Sequence, residues 1–266
     1  MQFSPQYQDR FGGIGRLYGV DGLSRLHQAH VCVVGIGGVG SWAAEALVRS
    51  GIGAITLIDM DDICVTNTNR QVPAHDGQYG QLKTEAMAAR LKAINPECNI
   101  TCVMDFITIK NLREHIHDGF DYVVDCIDSV KNKAALIAHC KRNKIRIVVT
   151  GAAGGQIDPT QIQIIDVNKC YNDPLIAKVR SMLRREYNFS RNTKRNYSIP
   201  CVFSTEQMVY PQPDGSVCST RSSEDDSTRL DCSSGFGSAT MVTGTFGFVA
   251  ASRVVQRIAQ NAGKKS

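Results

Sequence analysis

VCVVGIGGVGSWAAEALVRSGIGAITLID, residues 31–59, is the stretch that decides the fold. Its first four residues, 31–34, are apolar and predict a buried strand. A glycine-rich turn follows, and then a segment of helical period that runs to about Ser50 and is closed by Gly51. A second apolar strand, Ala54 to Ile58, ends at Asp59. The order of strand, glycine turn, helix and strand predicts a βαβ unit.

The glycine turn and Asp59 are the parts of this unit that indicate a ligand. The turn carries Gly35, Gly37, Gly38 and Gly40. Glycine has no Cβ, so the backbone can approach a phosphate, and the N-terminus of the helix offers free N–H groups. Asp59 follows about 20 residues later, where an acidic side chain hydrogen-bonds ribose hydroxyls. The pattern favours a nucleotide site over a βαβ unit that binds nothing.

A polar loop and a lysine follow Asp59. Five residues of the loop are candidate nucleotide contacts: Asp61, Asn67, Asn69, Arg70 and Gln71. Asn and Asp often make only local hydrogen bonds in loops, but a position directly after a ribose-binding acid favours a functional role. Lys83 lies in the first turn of a helix predicted from about Gln81 to Ile94, where a cation opposes the helix dipole. A bound phosphate would explain this lysine, and a surface lysine is the alternative.

Further strands alternate with helices along the chain. They are predicted at Asn99 to Met104, Tyr122 to Ile127 and Ile145 to Val149, with a helix from about Ser129 to Lys141. This alternation predicts an α/β fold with a Rossmann-like, doubly wound, mainly parallel sheet. Ligands of such sheets bind beyond the carboxyl ends of the strands. Asp128 is placed there to hold Mg²⁺, or it caps the following helix.

Composition narrows the class of protein. The chain has 266 residues and a formal net charge of +5, which fits one large soluble α/β domain. Ten cysteines follow a polar N-terminus without a secretory signal, so we expect reduced thiols in the cytoplasm. No pair is spaced as CxxC, and no zinc is expected. The apolar stretch from Gly235 to Ala251 is short for a membrane span, which favours a buried core helix over membrane association.

A basic segment stands apart from these motifs. Residues 178–197 hold seven Lys or Arg and one Glu, with Tyr187, Phe189 and Tyr197 interleaved. Such a segment suits a phosphate backbone with rings that stack on bases, and a solvated basic loop is an equal alternative. The candidate nucleic-acid contacts are Arg184, Arg185, Lys194 and Arg195.

The motifs together resemble the ThiF-like adenylating superfamily of ubiquitin-activating enzymes. The resemblance covers residues 10–165 and rests on the glycine turn, Asp59, the run from Asn67 to Gln71, Lys83 in GQLK, and Asp128 in CIDS. It implies that ATP and Mg²⁺ are bound. It also implies contacts of Gly38 with phosphates and of Asp59 with the ribose. By the same resemblance the triphosphate contacts are Asn67, Arg70 and Lys83, the metal ligand is Asp128 beside Ser129, and the catalytic set is Arg70, Lys83 and Asp128.

Three further stretches are similar to one branch of the superfamily, the tRNA threonylcarbamoyladenosine dehydratases. They are RFGGIGRLYG near the N-terminus, the basic segment, and SSGFGSAT at 233–240. This implies ATP-dependent cyclisation of threonylcarbamoyladenosine at tRNA position 37 through an acyl-adenylate, by an adenylate-forming enzyme of the ligase type. A homodimer and partners from a cysteine desulfurase and sulfur-acceptor system are implied too. The chain departs from carrier-activating relatives in lacking their zinc cysteines, and Gly13 replaces their second N-terminal arginine, for which Arg10 or Arg16 would substitute.

We therefore predict three regions: an N-terminal arm, 1–30; an ATP-binding adenylation domain, 31–170; and, packed on the same domain, 171–266, a basic substrate-facing insertion with a C-terminal strand and helix. Three other functions remain open. They are adenylation of a small sulfur-carrier protein, NAD-dependent oxidoreduction, and a non-catalytic partner of a cysteine desulfurase. Cys232 is either a covalent relay or an inert buried thiol.

Overall fold

The structure, a computed structural model, describes residues 3–212, 214–219 and 237–260. The helices are α1 (Pro5–Tyr18), α2 (Val20–Gln28), α3 (Gly40–Arg49), α4 (Lys83–Ile94), α5 (Leu112–His115), α6 (Val130–Arg142), α7 (Pro174–Glu186) and α8 (Thr240–Gln260). The strands are β1 (His30–Val34), β2 (Ala54–Ile58), β3 (Asn99–Val103), β4 (Tyr122–Asp125), β5 (Ile147–Thr150), β6 (Ile162–Asp166), β7 (Pro200–Ser204), β8 (Tyr210–Pro211) and β9 (Val217–Cys218).

Seven of the strands form one sheet in the order β3-β2-β1-β4-β5-β7-β6. Its pairs are parallel except for β6, which runs antiparallel to β7. The strand order reverses between β1 and β4, which is the switch point where sheets of this kind bind ligands. The predicted Rossmann-like, mainly parallel α/β fold is confirmed.

The two faces of the sheet carry separate cores because side chains alternate along each strand. Val31 and Val33 of β1 pack with α3, α4 and α8 on one face. Cys32 and Val34 pack with α6 and α7 on the other. Helices therefore cover both faces of the sheet, so ligands can approach it at the ends of its strands.

Helix α8 is the apolar segment that the sequence placed in the core. Val242, Phe246 and Ala250 are fully buried against the sheet and α3. Gly247 approaches α3 so closely that a Cβ there would lie 2.6 Å from the carbonyl oxygen of Val39. Within the described residues, no helix has the length and apolar character that crossing a membrane requires. The prediction of a buried core helix is confirmed.

The glycines near Phe11 favour a loop by their sequence, but α1 runs through Gly12 and Gly13. Ser4 caps this helix by accepting a hydrogen bond from the Tyr7 N–H at 3.0 Å. Tyr7 is buried, and its hydroxyl donates to the Gly51 carbonyl at 2.6 Å. Tertiary burial and a good cap thus outweigh the low helix propensity of glycine.

Two elements between residues 174 and 204 were not predicted. The basic segment begins inside α7, so its first cations lie on a helix and not in a loop. Strand β7 lies between β5 and β6 and so belongs to the main sheet. Residues 212–234 are polar and Ser-rich, a composition that predicts a loop, and they fall largely outside the described residues, as does Cys232.

Candidate active site

A cavity of about 720 Å³ opens at the carboxyl ends of β1, β2, β4 and β5. This volume is within the usual range for a small-molecule site, and the cavity lies at the switch point of the sheet. Most of the predicted nucleotide contacts line it: Gly35, Gly37, Gly38, Asp59, Asp61, Asn69, Arg70, Gln71, Lys83, Asp128 and Ser129. Gly40 and Asn67 do not line it.

The glycines of the turn have different structural roles. Gly35 has a φ of +87°, and a Cβ there would lie 3.0 Å from the Cys126 carbonyl oxygen. At Gly40 a Cβ would overlap the Gly35 carbonyl oxygen at 1.8 Å, so this glycine closes the turn on itself. At Gly38 it would lie 3.1 Å from the Arg70 Cγ. The absence of a side chain at 38 therefore makes room for the stem of Arg70.

Asp59 is buried at the end of β2 and fixes the turn. Its Oδ2 accepts from the Ile36 N–H at 2.6 Å, and its Oδ1 accepts from the Asp61 N–H at 2.9 Å. Each carboxylate oxygen has a second lone pair for a further donor. Asp59 can thus accept ribose hydroxyls while it holds the glycine turn against β2.

Arg70 and Asn69 form the wall next to α8. The Arg70 Nη1 donates to the Thr66 carbonyl at 2.8 Å and to the Asn69 Oδ1 at 3.0 Å. The Asn69 Nδ2 donates to the Ser238 carbonyl at 2.7 Å, and the Thr240 hydroxyl donates to the Asn69 carbonyl at 2.5 Å. Asn69 therefore ties the start of α8 to the loop that carries the Arg70 guanidinium.

Asn67 and Gln71 are both buried but differ in their partners. The Asn67 Oδ1 accepts from the Cys64 N–H at 3.1 Å and caps the short 3₁₀ turn at Val65–Asn67. This local role keeps Asn67 outside the cavity lining. Gln71 lines the cavity, and its buried Oε1 has no hydrogen-bond partner among the described residues. A buried acceptor without a partner is costly, so a ligand donor at this position would be favourable.

Lys83 is buried, although its position in the first turn of α4 would allow a surface side chain. Its Nζ donates to the Asp61 Oδ2 at 2.7 Å, and Asp61 is half-exposed toward the cavity. This ion pair compensates the lysine charge near the helix N-terminus. An incoming phosphate would meet an ammonium group that is already oriented.

Asp128 precedes α6 and points its carboxylate at the cavity without a capping role. The N-cap residue of α6 is Ser129. Within the described part of the chain, no hydrogen bond or ion pair engages the Asp128 carboxylate, and Asn132, one turn further on, lines the same wall. A carboxylate and an amide oxygen suit Mg²⁺, which also takes phosphate oxygens and water. No group of three His, Cys, Asp or Glu in the described ranges is placed to hold a metal alone.

A buried ion pair lies directly beneath this wall, and the sequence did not reveal its Lys133 member. Lys133 and Asp125 are both fully buried, and their Nζ and Oδ1 atoms are 2.9 Å apart. Burial raises the Asp125 pKa, and Lys133 opposes that effect. The Lys133 Nζ also donates to the Ile127 carbonyl at 2.7 Å. The pair thereby fixes the segment that leads from β4 to Asp128.

Cys126 lies in the cavity wall and is the one cysteine of the described residues that lines the site. Burial raises its pKa to about 12, with Lys133 opposing the effect. A thiolate is the nucleophilic form of cysteine, so a thiol with this pKa is unreactive near neutral pH. Cys126 is therefore a wall residue and not a nucleophile.

The basic segment lies at the other end of the sheet. The Asp173 carboxylate, which caps α7, accepts from the Ala152 N–H beside the cavity, and the 13 residues of α7 lead about 20 Å away from it. Strand β7 starts at Pro200 and runs parallel to β5, so residues 187–199 lie where these strands begin. The structure does not bring the cavity and this segment together.

The four predicted nucleic-acid contacts of this segment are not equivalent. Arg184 is held by the Asn168 Oδ1 at 2.8 Å and the Tyr197 hydroxyl at 3.1 Å. Arg185 pairs with Glu186 on the surface, and Lys194 and Arg195 are exposed. Tyr197 is buried against Phe189, with ring centroids 4.9 Å apart. Tyr197 therefore packs in the core, whereas Phe189 is partly exposed, and base stacking by this segment stays a prediction.

Comparison with known proteins adds to this geometry. The sequence profile of the ThiF family matches residues 13–266. A tRNA threonylcarbamoyladenosine dehydratase from Haemophilus influenzae is 59% identical over 252 residues, which cover 95% of this chain and 94% of that protein. Two crystal structures of the Escherichia coli tRNA N6-threonylcarbamoyladenosine dehydratase, TcdA, are also similar. The complex with ATP has a TM-score of 0.88 and 51% identity over 100% of both chains. The complex with AMP has a TM-score of 0.86 and 53% identity over 97% of both.

Proposed function

Because this chain belongs to the ThiF family, we propose that it uses ATP to remove water from threonylcarbamoyladenosine in tRNA, which closes the modified side chain into a ring. Relatives that match it over nearly their whole length are named for this reaction. The observation that carries the proposal is the convergence of Asp59, Arg70, Lys83 and Asp128 on one cavity.

The reaction divides into two steps. A carboxylate oxygen of the substrate attacks the α-phosphorus of ATP, pyrophosphate leaves, and an acyl-adenylate forms. A ureido nitrogen of the same side chain then attacks the activated carbonyl carbon, loses its proton, and AMP leaves. The net change is the loss of one water from the tRNA. Since the attack is intramolecular, the protein has mainly to position the groups and to stabilise developing charge.

The residues of the cavity fit these tasks. Asp59 would accept the ribose hydroxyls, and the glycine turn would leave its N–H groups facing the phosphates. Arg70 and Lys83 would neutralise the charge that develops as pyrophosphate leaves. Gln71 would offer its unpartnered Oε1 to a donor of the nucleotide. Asn69 would act indirectly, by holding the Arg70 loop to α8.

Asp128 would hold Mg²⁺ together with phosphate oxygens. When bound, this ion would supply Lewis-acid stabilisation of the leaving pyrophosphate. The support is a cavity-facing carboxylate with no protein partner in the described ranges, beside the amide of Asn132. Replacing Asp128 by Asn should raise the Mg²⁺ concentration needed for half-maximal activity.

Mass spectrometry of the nucleoside tests the function directly. The protein, ATP, Mg²⁺ and tRNA that carries threonylcarbamoyladenosine are incubated, and the tRNA is digested. We expect the modified adenosine to lose the mass of one water, only when ATP is present, with AMP as co-product. Unchanged mass with a folded, ATP-binding protein would overturn the proposal.

Two finer features belong to the same proposal, and one alternative function competes with it. A homodimer is suggested by the superfamily resemblance and by the exposed Met241 and Phe248 of α8, and light scattering would test it. Contact with cysteine desulfurase or sulfur-acceptor proteins stays a prediction from the resemblance alone. Adenylation of a sulfur-carrier protein has less support, because the matches of nearly full length are named for the tRNA reaction.

A further inference from the structure

A second cavity opens at the opposite edge of the sheet, where β4, β5 and β7 begin. Its volume is about 470 Å³. Five cations line it: Lys141, Lys144, Arg146, Arg253 and Arg257. None of the described residues that line it is acidic. We call this cavity, defined by these five cations, the basal groove.

Arg253 forms the inner wall of the basal groove. Its Nε is buried and has no hydrogen-bond partner among the described residues. Tyr122, Arg146 and Arg257 line the same cavity, and burial raises the Tyr122 pKa while a hydrogen bond and the charge of Arg253 oppose that effect. Guanidinium groups repel one another and the buried Nε–H of Arg253 requires an acceptor, so this arrangement favours a bound anion.

One carboxylate, Asp166, lies beside the basal groove. It lines an adjoining depression that shares residues 198–200, Arg253 and Arg257 with the groove. Its Oδ1 accepts from the N–H groups of Asn168 and Tyr197, and its Oδ2 accepts from that of Ile199. Among the described residues Asp166 makes no ion pair with a groove cation, and four of the five cations are exposed to solvent.

Helix α8 sets the distance from the basal groove to the ATP cavity. Thr243 lines the ATP cavity, and Arg253 and Arg257 line the groove. Ten to 14 helical residues separate them, which is about 15–21 Å at 1.5 Å per residue. One nucleic-acid strand carries a phosphate about every 3.4 Å along a duplex axis. A strand with its reacting nucleotide in the cavity would reach the groove after roughly five phosphates.

We propose that the basal groove binds backbone phosphates of the same tRNA whose modified adenosine enters the ATP cavity. The proposal rests on the proposed function for the identity of the RNA and on the groove itself for the phosphate chemistry. The basal groove is a second contact surface for tRNA, separate from the basic segment with Arg184, Arg185, Lys194 and Arg195. Arg146, Lys144 and Arg257 are exposed and would contact phosphates directly, and the partly buried Arg253 would donate from its Nε to a phosphate oxygen.

Charge reversal at the exposed cations tests the proposal. The groove variant is Lys144→Glu, Arg146→Glu and Arg257→Glu, which spares Arg253 with its buried Nε. The matched control is Lys92→Glu, Lys110→Glu and Arg113→Glu, three exposed cations outside both cavities. The two variants lower the formal charge equally. Binding of tRNA is measured over a range of salt concentrations, and ATP binding and thermal unfolding are measured in parallel.

We expect the groove variant to lose tRNA affinity and to flatten the log–log salt slope by about two, with ATP binding unchanged. The control should keep the wild-type slope. Equal slopes in all three proteins, or equal losses in both variants, would overturn the proposal. So would dissociation of an oligomer by the groove variant alone, since a second copy would then cover the groove.

A separate titration distinguishes RNA from free phosphate. Inorganic phosphate is added to the wild type and to the groove variant, and heat of binding is recorded. Phosphate binding that the variant loses, without a change in its tRNA slope, would reject tRNA as the ligand. The assay does not require turnover, so a protein that fails to dehydrate tRNA but shows the groove-dependent slope would refute the proposed function alone.

Discussion

The two edges of the central sheet use charge in different ways. At the ATP cavity the lysines are buried and paired with carboxylates, Lys83 with Asp61 in the wall and Lys133 with Asp125 beneath it. At the basal groove four of the five cations are exposed, and no acidic residue lines it in the described ranges. The first edge holds groups at fixed positions, as a chemical step requires. The second offers an attractive field, as binding to a polyanion requires.

This difference predicts how each edge responds to mutation. Substitutions at the cavity should change stability or the rate of the chemical step by several kcal/mol. Substitutions at the basic edge should leave both nearly unchanged and alter the salt dependence of tRNA binding.

The largest effect is expected from Lys133→Met, which leaves the Asp125 carboxylate buried without its counter-charge. We expect a loss of about 3–5 kcal/mol in the free energy of unfolding. Lys131→Met, on the exposed side of α6, is the matched control and should stay within about 0.5 kcal/mol. Urea unfolding measures both. If the two variants are equally stable, Lys133 does not hold the segment before Asp128.

Arg70→Ala and Lys83→Ala should come next. Each removes a cation that faces the leaving pyrophosphate, at a cost of about 3 kcal/mol or a hundredfold in rate. ATP–pyrophosphate exchange in the presence of modified tRNA measures the step, and Lys92→Ala in α4 is the control. Wild-type exchange in either cavity variant would refute its assignment.

Gly38→Ala should have a smaller effect, because the new Cβ would only press on the Arg70 stem. Overpacking of this kind costs about 1–3 kcal/mol. At Gly37 a Cβ would meet the Gln71 Nε2 at 3.9 Å, an ordinary contact, so Gly37→Ala is the control in the ligand-free protein. Thermal unfolding should separate the two variants. Equal midpoints of thermal unfolding in the two variants would mean that the packing of the Arg70 side chain does not require glycine at position 38.

Reversal of Lys194 and Arg195 to Glu tests the predicted basic segment. Each phosphate contact that is lost should reduce the salt slope of tRNA binding by about 0.7–0.9, with stability unchanged. Arg184→Gln should lower the stability and leave the salt slope unchanged, because the Arg184 guanidinium donates to Asn168 and Tyr197 within the protein. A wild-type slope in the reversed variant would remove this segment from the tRNA surface.

The smallest effect is expected at Cys126. Its raised pKa, caused mainly by burial, predicts very slow alkylation near pH 8, whereas the exposed Cys64 should react first. Cys126→Ala should dehydrate tRNA at close to the wild-type rate. Peptide mapping after brief iodoacetamide treatment gives the order of labelling, and early labelling of Cys126 would contradict the expected burial.

The sequence predicted the cavity better than the basic edge for a physical reason. Gly35, Asp59 and Lys83 occur at spacings that a βαβ unit and its following helix impose, so one chain segment reports on one site. The basal groove combines residues near 141–146, 198–200 and 253–257, which come together only when β5, β7 and α8 pack. No local pattern marks such a surface.

Tertiary structure also decides three features within the predicted regions. Asn67 stays a predicted phosphate contact, and its amide oxygen caps a 3₁₀ turn. The glycines of α1 suggest a loop, but burial of Tyr7 and Phe11 stabilises a helix through them. Lys133 resembles a surface residue because its partner, Asp125, is separated from it by a strand end and a helix start. Burial, which decides each case, is a tertiary property.

Helix α8 sets a fixed distance between the ATP cavity and the basal groove. Hydrogen bonds join the start of the helix to Asn69, beside Arg70, and the last turns carry Arg253 and Arg257 of the groove. Its length therefore measures the span of RNA that one bound molecule can bridge. Insertion of about one helical turn would lengthen α8 by about 5.4 Å and would change the orientation of its faces little. A different phosphate of the RNA would then bind in the basal groove while the adenosine stays in the ATP cavity.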